Sequence, residues 1–379
     1  MSPLSLPTRT PSATTAPAGT TPAKARLDSL TGLRWFAALL IFCYHFAYEE
    51  EGSGSARHLH ELKGWTLAGP SAVSFFFILS GFVLAWSARS GDTVTGFWRR
   101  RFARIYPSHF VAFLIACAML LWMGESLDPS TALANLTLTQ SWVPDRNDVW
   151  FGYNGVSWSL SCEFLFYFSF PFVIPLIRRL KNAGLWATVV LGNVFVVLFP
   201  LLTGRIEHVT GWDAKFFLYI FPPVRLVEFV VGIALALLVK NGAWRGPGLL
   251  LSLALCLVGI FWGVHQVSYD FHWSAVTVVP YTLTVAAAAR ADLYGKPSVF
   301  RHRLLVYLGE VSFAFYLLHE MAVFTFNRIF EGQQPHLALH VGLVMAVSLV
   351  GAILLHEFVE KPGVKLLNPR RDNPGRKKS

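Results

Sequence analysis

The chain has 379 residues, of which 54% are hydrophobic, 15% aromatic and only 14% charged, against about 25% charged in an ordinary soluble domain. Its apolar residues lie in long blocks with little polar alternation, which excludes a soluble α/β enzyme, a disulfide scaffold and a wholly disordered chain. The net charge of +10 would suit a nucleic-acid ligand, but the basic residues sit at the ends of the apolar blocks, as they do in polytopic membrane proteins.

In chain order, residues 1–25 are Pro, Thr, Ser and Ala with scattered basic residues. They lack the apolar stretch of a cleaved signal peptide and are expected to form a disordered cytosolic tail. Ten spans follow, near 30–48, 69–87, 106–123, 155–177, 184–203, 217–239, 247–265, 274–290, 304–329 and 337–358. Each has close to the twenty residues a helix needs to cross a bilayer. The expected fold is an all-α polytopic membrane protein, with a transmembrane domain over 26–362 and a basic cytosolic tail over 363–379. Of the 32 Lys and Arg residues, 24 fall in segments on the N-terminal side of this topology, 6 on the other side, and Arg34 and Arg225 within spans. That bias places both termini in the cytosol, in the cell membrane. The four cysteines all lie in apolar runs without CxxC or Cys/His spacing, which argues against a metal site or a disulfide framework.

An ionisable side chain inside a span costs about 2.5–3.5 kcal/mol on insertion scales and marks a functional hypothesis. Arg34 and His45 are eleven residues apart in the first span, nearly the same face of a helix and about 16 Å along it. One stripe thus offers a cation near the cytosolic boundary and an acid/base group in the outer half. The alternative is that Arg34 snorkels to the headgroups and His45 ties helices together. Arg101 and Arg104, with Arg100 beside them, lie three residues apart on one helix face. They form either a phosphate clamp or a plain topology signal. In the fourth span Ser159, Glu163 and Tyr167 recur at i, i+4, i+8. Glu163 could orient a histidine, bind a hydroxyl, or simply pair with Arg225, although Glu228 offers Arg225 a nearer partner. In the ninth span Ser312, Tyr316 and His319 form a second polar stripe. Ser80-Gly81 reads as helix packing, and His356-Glu357 and Glu360-Lys361-Pro362 read as anchors.

Taken in order, LTGLRWFAALLIFCYH, FFFILSGFVLAW, RRRFARIYP, VSWSLSCEFLFY, RLVEFVVG, LGEVSFAFYLLH and FVEKP resemble the motifs of membrane-bound acyltransferase family 3, over about residues 27–362. The resemblance implies a ten-helix bundle that moves an acyl group from coenzyme A to a hydroxyl, commonly on a sugar. It makes His45 the catalytic residue and assigns Arg34, Arg101 and Arg104 to the donor. The chain is similar to stand-alone members, which include cell-envelope glycan O-acetylases and macrolide O-acyltransferases. Its Glu360-Lys361-Pro362 departs from the usual E-R-P.

The expected mechanism has acyl-CoA, acetyl-CoA or another short-chain donor, docking from the cytosol at Arg101, Arg104 and Arg100. The pantetheine arm passes Arg34, and His45 acts as general base on the acceptor hydroxyl. Glu163 orients His45 or holds the acceptor, and Ser159, Tyr167, Tyr316 and His319 are candidate substrate-binding residues. No metal is required. An acyl-histidine intermediate is a variant. The competing class is a proton-coupled transporter or flippase; these often carry internal repeats and paired helix breaks, whereas Pro222-Pro223 is a single strong break with no counterpart.

Overall fold

The computed structural model describes residues 26–49, 64, 66–88, 91–331 and 336–367, and those residues contain helices and no strand. The expected tail at 1–25 and the last part of the C-terminal tail lie outside them. The described residues form ten principal helices: α1 (Asp28–Glu49), α2 (Ala72–Ser87), α3 (Val94–Met123), α4 (Trp158–Arg178), α5 (Asn182–Leu198), α6 (Pro222–Lys240), α7 (Leu249–Phe261), α8 (Val278–Leu293), α9 (Arg303–Ile329) and α10 (Leu337–Leu355). A π-helical turn, His356–Glu360, leads from α10 into a last short helix, Lys361–Leu367.

Every expected span is helical, but lengths differ. Among the described residues eight helices are long and apolar enough to cross a membrane. The expected spans 247–265 and 274–290 appear as α7 and α8, with 13 and 16 residues. At 1.5 Å per residue they reach about 20 and 24 Å, short of a hydrocarbon core of about 30 Å. In contrast, α3 begins twelve residues before the apolar run does. The Thr93 hydroxyl accepts the Gly96 N–H and caps the helix there, so the arginines of the RRRFAR stretch stand on α3 itself.

Close packing of the bundle rests on small residues. A Cβ on Gly81 of α2 would strike the Phe229 carbonyl of α6, and one on Gly232 of α6 would strike the Ile78 carbonyl of α2. Side chains any larger would force these two helices apart. Arg225, in the same interface, pairs with Glu228 at 3.1 Å, donates to the Ser74 hydroxyl at 3.1 Å and lies over the Phe77 ring. It is compensated locally, and Glu163 is left for other work. At the end of the bundle where α1 starts, the Asp292 carboxylate of α8 accepts the Ser29 N–H at 2.8 Å and hydroxyl at 2.6 Å, which satisfies an otherwise orphaned helix N-terminus.

Between α3 and α4 the chain folds back into the bundle. It runs through an eight-residue helix, Pro129–Leu136, and single helical turns at Gln140–Trp142, Asn147–Trp150 and Gly155–Ser157, with Leu138, Asp145 and Tyr153 in the left-handed region. Irregular backbone is tolerated at such depth only when its polar groups are satisfied by protein. Here Asn135 donates to the Gly152 carbonyl and Ser157 hydroxyl, Gln140 also donates to Ser157, and Asn154 donates to the Leu317 carbonyl of α9. This segment lines one side of the site described next.

Candidate active site

The polar stripes of α1, α3, α4 and α9 converge on one cavity of about 110 Å³. Arg34 enters from α1, Arg104 from α3, Ser159, Glu163 and Tyr167 from α4, and Ser312 and Tyr316 from α9. The i, i+4, i+8 stripe of α4 faces the cavity along its whole length, which is what helical periodicity requires of those three residues.

Charge within the cavity is organised but not balanced. Glu163 accepts the Tyr167 hydroxyl proton at 2.9 Å. Arg104 pairs at 2.5 Å with Glu360, a fully buried carboxylate that also contacts His356 Nδ1 at 2.9 Å. Arg34 forms no hydrogen bond or contact ion pair among the described residues; its electrostatic neighbours are Arg104, Glu360, Glu163 and Tyr167. Arg101, one turn before Arg104, lies over the Phe97 ring with its Nε lacking a hydrogen-bond partner. It borders a second, apolar cavity of about 260 Å³, and the two cavities share Ile105, Leu160 and Tyr167 as walls. Three guanidinium groups thus stand against two carboxylates, an arrangement that attracts an anion. Arg100 does not join them: it pairs with Asp92 at 2.9 Å and lines neither cavity.

Eleven residues along α1 from Arg34, His45 meets His319 of α9. His45 Nδ1 lies 2.9 Å from His319 Nε2, with the rings 7° from coplanar. His319 is fully buried, whereas the His45 side chain keeps 17% of its surface exposed. Glu320 Oε1 is 4.0 Å from His45 Nε2, and Glu320 Oε2 accepts the Val156 N–H at 3.1 Å. Tyr316 links this pair to the cavity: it lines the cavity, its hydroxyl meets Ser159 Oγ at 2.9 Å and the Val156 carbonyl at 2.9 Å, and its ring centroid is 5.8 Å from that of His319.

The structure therefore brings together nine of the ten residues expected at the site, with Arg100 apart. Of the alternatives open to Glu163, direct orientation of His45 is not what the geometry shows. Among the described residues Glu163 makes no hydrogen bond or ion pair to His45; the group on His45 is His319, because Glu163 sits a helix stripe lower with the arginines. Three contributors were not expected. Glu320 lies off the Ser312, Tyr316, His319 stripe of the ninth span, Glu360 reads as an anchor in the sequence, and the backbone at 152–155 precedes the VSWSLSCEFLFY motif. The available signal for Glu360 was its place at the end of the last span, four residues after His356, which puts the two on one helix face.

Comparison with known proteins fits this geometry. A family model described as an acyltransferase domain matches residues 27–357. The chain is 41% identical to Acyltransferase MdmB of Streptomyces mycarofaciens, over 92% of this chain and 95% of that protein. It is 22% identical to the peptidoglycan O-acetyltransferase OatA of Listeria monocytogenes, over 89% of this chain but 55% of that longer protein. A putative O-acetyltransferase of Staphylococcus aureus is 23% identical over 91% of this chain and 59% of its own length. No solved structure matches. With its apolar helices, its converging polar stripes and a family match across nearly all described residues, the chain belongs to acyltransferase family 3 and is a multi-pass membrane O-acyltransferase.

Proposed function

We propose that the protein moves a short acyl group, acetyl- or propionyl-like, from acyl-CoA to a hydroxyl of a sugar-containing acceptor, either a macrolide antibiotic or a cell-envelope glycan. One observation carries the reading: a single helix holds the unpaired guanidinium of Arg34 in a cationic cavity and, about 16 Å further on, the partly exposed imidazole of His45. A donor with phosphates at one end and a thioester at the other needs such a separation. The resemblance to the family's glycan O-acetylases and macrolide O-acyltransferases supports the choice of acceptor.

In this reading the end of the bundle bearing the N-terminus of α1 faces the cytosol. Arg101 and Arg104 hold the donor's phosphates, and Arg34 neutralises charge where the arm enters the cavity. Glu360 holds Arg104, and the charge of Glu163 offsets part of the positive charge around the cavity when it is empty. Ser159, Tyr167 and Tyr316 offer hydroxyls to the substrates. His45 Nε2 accepts the acceptor's hydroxyl proton as its oxygen bonds to the acyl carbon; the carbon–sulfur bond breaks, and His45 returns the proton to the departing thiolate.

Purified protein incubated with radiolabelled acetyl-CoA or propionyl-CoA, together with either a macrolide or a glycan pool, tests this. Label transferred to one acceptor pool, and dependent on the protein, is the expected result. Absence of transfer to either pool from either donor would refute the assignment.

A further inference from the structure

A histidine acting as general base must present a bare nitrogen to the substrate, and a neutral imidazole has only one. Which nitrogen of His45 is bare follows from the hydrogen bonds of His319. His319 Nδ1 lies 2.8 Å from the Tyr316 carbonyl oxygen and 3.2 Å from the Phe315 carbonyl oxygen. Both partners only accept, so Nδ1 carries the proton and the lone pair is on Nε2. That lone pair points at His45 Nδ1, 2.9 Å away in a nearly coplanar ring. Two lone pairs facing each other at that distance would repel, so His45 Nδ1 must be protonated. His45 Nε2 is then bare. Among the described residues Glu320 Oε1 stands 4.0 Å off, too far to hydrogen-bond it.

We infer that His319, expected from the sequence among the substrate-binding residues, is instead a positioning residue that sets the tautomer of His45, with Glu320 placed to balance the imidazolium formed on catalysis. This rests on the reading of His45 as the general base. The chain of control begins at the backbone: the α9 carbonyls at 315 and 316 orient His319, His319 orients His45, and His45 Nε2 faces the acceptor. When Nε2 takes the hydroxyl proton, the Nδ1–H bond to His319 becomes charge-assisted and shortens, while Glu320 is held in place through Val156 N–H. The proton then leaves Nε2 for the thiolate, and His319 neither gains nor loses one.

The direct test is nitrogen-15 NMR of the full-length protein, labelled at histidine and held in detergent micelles, with spectra of H45Q and H319Q used for assignment. Both His45 and His319 are expected as Nδ1–H tautomers, each with an unprotonated Nε2. A His45 found as the Nε2–H tautomer overturns the inference. Kinetics give a second readout. In His319→Phe, kcat is expected to fall by about 10²-fold or more, with KM for donor and acceptor within about threefold. His319→Gln, whose amide oxygen can still accept the His45 Nδ1–H, is expected to recover at least about tenfold of that loss. Equal activity of the Phe and Gln variants overturns the positioning role, and if the Phe variant does not fold, the wild-type spectrum still decides. Failure of the base assignment itself has a different signature, which is activity retained in His45→Ala.

Discussion

Replacing Arg34 by glutamine separates donor binding from stability in a way few buried arginines allow. Most buried cations are paired, and removing one strands a carboxylate at a cost of about 3–5 kcal/mol. Arg34 makes no hydrogen bond or contact ion pair among the described residues, so its removal breaks no contact, and the loss of its charge near Glu163 is offset by relief of an insertion cost of about 2.5–3.5 kcal/mol. What is lost is a contact to the donor. A hydrogen bond to a charged group contributes about 1.5–3 kcal/mol, which at about 1.4 kcal/mol per decade corresponds to roughly a 10- to 150-fold weaker affinity for acyl-CoA. The assay is isothermal titration of acetyl-CoA in detergent, with the melting temperature followed on the same samples. Weakened binding is expected, with a melting temperature unchanged or raised. Unaltered affinity, or a large fall in melting temperature, would refute the assignment of Arg34 to the donor.

Other substitutions probe the remaining contacts. Arg104→Gln leaves the fully buried Glu360 without its 2.5 Å partner, so unlike Arg34→Gln it is expected to destabilise the fold by up to about 3–5 kcal/mol, read as a lower midpoint in thermal unfolding. Arg104 is partly exposed, and the double variant Arg104→Gln/Glu360→Gln should recover part of the loss. Gly155→Ala places a Cβ 2.6 and 2.8 Å from the Glu320 oxygens; the carboxylate must shift by a fraction of an ångström, and a fall in kcat of up to about 10²-fold is expected with donor affinity unchanged by titration. Glu228→Gln removes the 3.1 Å partner of buried Arg225 and is expected to lower the unfolding midpoint without altering donor affinity in the folded fraction.

Much of this arrangement was written in local pattern. The ten apolar runs, the eleven-residue interval between Arg34 and His45, and the stripes on α4 and α9 all follow from helical periodicity, which a single segment displays by itself. Pairings between distant segments were not legible. His45 and His319 are 274 residues apart, and nothing in either stretch says which of the available polar groups the other will meet. Periodicity alone therefore leaves Glu163 open to orient His45, hold the acceptor or pair with Arg225, and only the folded bundle sets it beside the arginines. The start of α3 was missed for a different reason: the arginines lower the local hydropathy, whereas a single capping threonine decides where the helix begins. The infolded segment before α4 has no period to detect, since its conformation depends on left-handed residues such as Leu138 and Tyr153 and on amides satisfied by the surrounding bundle. α7 is shorter than its apolar run because apolar residues continue past its last α-helical turn, whereas α8 is about as long as its run and is shifted toward the C-terminus by three to four residues.

Release of free CoA from acetyl-CoA by purified protein, with the identified acceptor present and wild type compared with His45→Ala, bears most directly on the chemistry. Release that requires the acceptor and falls to background in the variant is expected if His45 is the base. Release at the wild-type rate in His45→Ala would remove this residue from the reaction and, with it, the mechanism built on α1.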